Sequence, residues 1–291
     1  MPQRQSESSF HDIRGLRYHV RRWPHPGARK LVLLHGWMDV SASFQFLVDE
    51  LRGEWDVYAP DWRGYGLTQW ASADCYWFPD YIADLDYLLE EIQPDEPVSL
   101  VAHSLGGNVA ALYAGIRPAR VAKLVNLEGF GLPRTRPEQA PERYARWLDE
   151  LHERPGLRPY ASFTALEDRL REGNPRLTAG RAHFLARHWG REEKDGSVVL
   201  RGDPGHKIVN PQLYRYEEAL ACWRQVTAPV LWVEGALSET ARRLKLDAAE
   251  VAERRGAFRS LRHAIVPEAG HMLHHDRPDA VAALVEEFVK A

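Results

Sequence analysis

The sequence predicts an α/β protein, with a mostly parallel central sheet flanked by helices. Three observations carry that expectation. Short apolar runs rich in Val and Leu, each ended by turn residues, recur along the chain. Segments with apolar residues at one-face helical spacing lie between them. One long stretch, about 133 to 220, breaks the alternation with charged, aromatic-bearing segments punctuated by Pro and Gly. Near-continuous apolarity over so few residues suits a strand covered on both faces, and strands alternating with helices define the class.

Taken in order, "RGLRYHVRRW" (14–23) reads as an early, half-exposed strand. "KLVLLHG" (30–36) is the first buried run, followed by a helix on Phe44, Leu47, Val48 and Leu51. "WDVYAPD" (55–61) is the next strand, and Ile82, Leu85, Leu89 and Ile92 mark the next helix. "VSLVAHS" (98–104) leads into a helix over "LGGNVAALYAG" that Pro118 ends. "AKLVNLEG" (122–129) precedes the long stretch, which reads as a mainly helical cap inserted after the strand ending near Glu128. "PVLWVEG" (229–235) and "HAIVPEAG" (263–270) complete the strands, and Val281, Leu284, Val285 and Phe288 form the last helix. The domain reading is therefore a core over 1–132, a helical cap over 133–220 and a return to the core over 221–291.

A chain of 291 residues with 44% hydrophobic content buries a full core. Lys+Arg 38 against Asp+Glu 41 gives a net charge of −3 with no long basic run, which disfavours nucleic acid and anionic lipid as partners. The start, "MPQRQSESSF", has no apolar signal region, and no later stretch has a spanning helix's length of apolar residues, so a cytoplasmic protein is expected. Cys75 and Cys222 form neither a disulfide framework nor a metal-ligand pattern.

Ligands of open α/β sheets bind outside the carboxyl ends of the strands, so the residues just after each run carry the chemistry. Ser104 lies on a strand-to-helix turn between Ala102 and Gly106, small residues that let strand and helix pass closely. The amides of Leu105, at a helix start, and Trp37, after Gly36 in "HGWMD", suit an oxyanion hole. His271 directly follows a strand-ending glycine at the same sheet edge, and an imidazole there can shuttle a proton.

Together "HGW", "DWRGYGLT", "AHSLGGN" and "AGHMLHHDRP" resemble, in order and position, the α/β-hydrolase superfamily, and within it capped serine hydrolases near the serine-hydrolase-like proteins and related esterases. The likeness spans essentially the whole chain except the cap. It implies an α/β-hydrolase fold with Ser104 as nucleophile, His271 as general base and the Trp37 and Leu105 amides as the oxyanion hole. His103 reads as structural. His271, His274 and His275 offer a metal cluster only as a minor reading, and neither a metal nor a cofactor is expected.

Most members of the superfamily place the triad aspartate in a G-x-x-D turn after the "PVLWVEG" type of strand. Here the turn is "GALSE" and that position is Ser238. Two other carboxylates remain. Glu239 is one residue further on; Glu128 ends the strand expected to neighbour the nucleophile strand, and some haloalkane dehalogenases place a glutamate there. Glu128 is the preferred acid, with Glu239 and a degraded triad as alternatives.

Dehalogenases and epoxide hydrolases attack with aspartate, so a serine favours acyl transfer from a carboxylic ester or related acyl bond. Carbon–carbon bond hydrolysis or a lyase reaction on the same residues, and a catalytically decayed binding protein, are the other readings. Phe130, Trp147 and Met272 are expected to line a pocket for an apolar acyl or aryl ester, a homodimer being compatible with the sequence. Arg63 in "DWRG" reads as a structural bridge, and "RGDPGHK" (201–207) receives no chemistry.

Overall fold

A computed structural model describes residues 3–291. In chain order the strands and α-helices are β1 (Glu7–Ile13), β2 (Leu16–Trp23), β3 (Arg29–Leu34), α1 (Gln45–Glu50), β4 (Trp55–Pro60), α2 (Phe78–Ile92), β5 (Val98–His103), α3 (Leu105–Ile116) and β6 (Val121–Leu127). There follow α4 (Ala140–Glu153), α5 (Phe163–Gly173), α6 (Ala179–Trp189), β7 (Gly190–Glu192), β8 (Val198–Leu200) and α7 (Tyr216–Arg224). The chain closes with β9 (Val230–Gly235), α8 (Thr240–Arg243), α9 (Ala248–Gly256), β10 (Leu261–Val266), α10 (Leu273–Asp276) and α11 (Pro278–Lys290).

Eight strands form one sheet in the order β1-β2-β4-β3-β5-β6-β9-β10. β1 and β2 pair antiparallel, as do β2 and β4; all pairings from β4 to β10 are parallel. Successive side chains of the central strands go to opposite cores. Val32 and Leu34 join the cluster holding α2, α3 and α7, whereas Leu31 and Leu33 join the one holding α1 and α11. Both faces are thus covered, the arrangement that continuous apolar runs require. Strand β1 escapes the sequence reading because it is a mostly exposed edge, ESSFHDI, with no apolar run to announce it. The polar helices α8 and α9 were likewise not expected between the last two strands.

Between β6 and β9 the chain is mostly helical but also carries the hairpin β7-β8. The segment meets the loops at the carboxyl edge of the sheet. Trp189 Nε1 donates to Ser43 Oγ at 2.9 Å, Asn174 and Arg176 donate to Asp276 at 2.6 and 2.7 Å, and Tyr65 bridges Gly202. Helix α7 begins at Tyr216 and packs on α3, so residue 220 falls inside one core-facing helix. Their contact is close: a Cβ on Gly115 of α3 would overlap the carbonyl of Cys222. No helix among the described residues is long and apolar enough to cross a membrane.

Candidate active site

Ser104 is held between β5 and α3 at φ 51° and ψ −113°, a left-handed backbone that costs a non-glycine residue of order 1–3 kcal/mol. The turn is tolerated because its neighbours are small. A Cβ on Gly106 would strike the backbone oxygens of Leu34 and His35, and one on Gly36 would come within 2.9 Å of His103 Nδ1. Strand β3, the turn and helix α3 therefore close up only with glycine at both places. Ser104 Oγ lies 3.1 Å from His271 Nε2.

The other ring nitrogen, His271 Nδ1, lies 3.3 Å from Glu128 Oε2 and 2.9 Å from Thr240 Oγ1. Glu128 follows β6, the parallel neighbour of β5, with a left-handed φ of 60° and 1% exposure. Its Oε1 accepts from the Gly235 amide at 2.8 Å and its Oε2 accepts from the Ser238 hydroxyl at 2.6 Å. Ser238 and Thr240 hydroxyls are 2.9 Å apart. One donor order serves both hydroxyls: His271 Nδ1–H to Thr240, Thr240 O–H to Ser238, Ser238 O–H to Glu128, with Glu128 Oε2 at 3.3 Å as a second acceptor for the Nδ1–H. Two hydroxyls, Ser238 and Thr240, thus stand between the imidazole and the Glu128 carboxylate. Thr240 was missed because a threonine has no signature in a sequence; only the distance to Nδ1 reveals it. Glu239, the alternative acid, faces solvent and pairs with Arg242 at 2.5 Å.

Neither the Trp37 nor the Leu105 amide donates to an acceptor of the chain among the described residues. Both residues border a cavity of about 320 Å³ that opens on Ser104. Its walls differ from the expected set. They come from Tyr76, Trp77, Phe78 and Tyr81, with Leu132, Arg143 and His206 from the segment after β6. Phe130 is instead drawn into the core against Trp232, ring centroids 5.4 Å apart, and neither Trp147 nor Met272 borders the cavity. The sequence held a usable signal here: "YWFPDY" (76–81) concentrates four aromatics just ahead of a helix. A larger cavity of about 720 Å³, lined by Trp70, Leu148 and Asp203 among others, includes neither Ser104 nor His271.

His206, from the "RGDPGHK" stretch, is stacked between Tyr65 and Tyr76 at centroid distances of 3.8 and 3.7 Å. Burial pushes its imidazole down to about 3. The unfolded chain takes up this proton near pH 6.5 while the folded chain does not, so stability falls as pH drops from about 6.5 toward 3. His206→Gln is expected to flatten the loss between pH 7 and pH 5 by about 1–2 kcal/mol, read from urea midpoints at the two pH values.

Behind the site, His103 Nε2 donates to the His271 carbonyl at 2.9 Å, a contact that ties the loop carrying His271 to the end of β5. His274 and His275 are buried and group with Asp39 rather than with His271; donor atoms of Asp39, His274 and His275 lie within 4.8 Å of one another. They are the residues of this region able to hold a cation.

The arrangement was compared with known proteins. Residues 31–284 match the model of the alpha/beta hydrolase family. The serine hydrolase-like protein of Danio rerio is 26% identical over 92% of this chain and 83% of its own length. Epoxide hydrolase 4 of Mus musculus is 25% identical over 95% of this chain and 77% of its own. Among solved structures, a thioesterase domain from the curacin biosynthetic pathway superposes with a TM-score of 0.86 at 22% identity, covering 97% of this chain and 99% of that one. With a family match across most of its length and the same architecture, this chain belongs to the alpha/beta hydrolase family.

Proposed function

We propose that the protein is a serine hydrolase that cleaves a carboxylic ester or related acyl bond through an acyl-enzyme on Ser104. The observation that carries this reading is the imidazole of His271, with Nε2 at 3.1 Å from Ser104 Oγ and Nδ1 within reach of Glu128. His271 takes the Oγ proton as the oxygen attacks the acyl carbon, and the oxyanion is received by the Trp37 and Leu105 amides. The imidazolium then protonates the departing alkoxide. Water, deprotonated by the same nitrogen, attacks the acyl-enzyme and releases the acid, regenerating the serine. Glu128, reached directly and through Thr240 and Ser238, stabilises the imidazolium and fixes its tautomer. The segment 133–220 acts as a cap, and the aromatic walls suit an apolar acyl or aryl group.

Epoxide hydrolysis, suggested by the name of the mouse relative, fits these residues poorly. Epoxide opening by a serine would leave an ether, with no acyl carbon for water to attack. A fluorophosphonate probe is expected to label Ser104 in one-to-one stoichiometry, and Ser104→Ala to abolish labelling. No labelling of the wild type would point to a decayed binding protein. Turnover of vinylogous diketones but not of p-nitrophenyl esters would move the assignment to carbon–carbon bond cleavage.

A further inference from the structure

Twelve buried side-chain polar atoms lack a partner among the described residues, and five of them gather behind the catalytic residues. They are Asp39 Oδ2, His103 Nδ1, both ring nitrogens of His274, and His275 Nε2. Asp39, His274 and His275 are 1%, 0% and 2% exposed. A buried imidazole with neither nitrogen bonded, facing a carboxylate oxygen that is also unbonded, leaves a desolvation cost uncompensated, and such a group calls for a ligand. The other carboxylate oxygen, Asp39 Oδ1, is already engaged by the Val40 amide at 2.8 Å and by the Ser43 hydroxyl. This fixes the carboxylate with Oδ2 turned to His274 Nε2, 3.7 Å away.

We infer that Asp39, His274 and His275 bind one divalent transition-metal cation of the zinc type, which clamps two loops behind the active site. Two imidazoles and a carboxylate are the donors such ions prefer. Donor atoms no more than 4.8 Å apart leave a point within about 2.8 Å of all three, so shifts of about 0.7 Å per side chain reach ordinary zinc bond lengths. With the metal on Nε2, the His274 proton stays on Nδ1; the His274 and His103 rings lie 4.4 Å apart, centroid to centroid. Asp39 lies on the loop that carries Trp37, and His274 and His275 lie on α10 just after His271. The ion therefore joins the loop of one oxyanion amide to the loop of the base, and it takes no part in the acyl chemistry proposed above.

Untagged protein from zinc-supplemented culture, dialysed against metal-free buffer, is analysed by plasma mass spectrometry. About one zinc per chain is expected in the wild type and in His183→Gln, whose imidazole is exposed and paired with Glu167. His275→Gln should retain at least tenfold less. Because His275→Gln could fold poorly, the wild type is also prepared with cobalt, and the intense visible bands of a histidine-ligated, low-coordinate ion are expected. Less than a tenth of a zinc per wild-type chain, equal retention by folded His275→Gln, or a cobalt sample without those bands would overturn the inference in favour of a buried water.

Discussion

Glu128→Gln lowers kcat on a p-nitrophenyl ester by about 10⁴-fold with little change in KM, the loss seen when a triad carboxylate is made neutral without altering its shape. The amide cannot stabilise the imidazolium. If its nitrogen turns toward His271, it also favours the wrong tautomer. Glu239→Gln, on an exposed side chain paired with Arg242, changes kcat by less than about twofold. A decisive companion is Ser238→Asp in the Glu128→Gln background. Ser238 already places its hydroxyl 2.6 Å from the Glu128 carboxylate and 2.9 Å from Thr240, so a carboxylate there is near the same imidazole nitrogen. At least tenfold recovery of kcat is expected. Steady-state kinetics of the three variants decide it: a large loss in Glu239→Gln with none in Glu128→Gln would transfer the acid role.

Asp84→Ala is expected to cost about 3–5 kcal/mol of stability, measured by urea unfolding, because it strands a buried guanidinium. Asp84 is fully buried on α2, where it accepts from Arg63 Nε and Nη2 at 2.5 and 2.6 Å and from the Tyr18 hydroxyl at 3.0 Å. The Tyr18 oxygen in turn accepts from the Arg63 amide at 2.8 Å. Arg63 thus bridges the loop after β4 to a helix, and that loop carries Tyr65, one of the two rings enclosing His206. Loss of the bridge should therefore also raise KM. Asp80→Ala removes a half-exposed partner of the same guanidinium, 3.2 Å away, and is expected to cost less than about 1 kcal/mol. Comparable losses in the two variants would refute this account.

Much of the fold was legible because parallel strands buried on both faces must be apolar along their length, and five of the six runs met that requirement; β10, at the sheet edge with Ile265 58% exposed, is apolar without that burial. The exposed edge strand β1 and the polar helices α8 and α9 carry no such constraint, and they passed unread. Ser104, Gly106 and His271 were legible because a strained turn and a strand-end glycine restrict which residues fit. The pocket differs from the expected one for a related reason: Phe130 and Met272 lie beside site positions in sequence and Trp147 is an aromatic of the segment after β6, whereas a side chain's direction depends on which neighbours have room for it. Phe130 found its room beneath Trp232.

The sequence by itself determined the α/β class, the order of strands and helices, and the motifs that place a serine and a histidine at one rim. Only the tertiary structure decided which carboxylate faces the imidazole, that Thr240 and Ser238 bridge them, and that His274 and His275 join Asp39 instead of His271. The reason is physical. Strand and helix periodicity are local properties of the chain, whereas hydrogen bonds and metal ligation act over about 3 Å between residues that can be more than 200 positions apart.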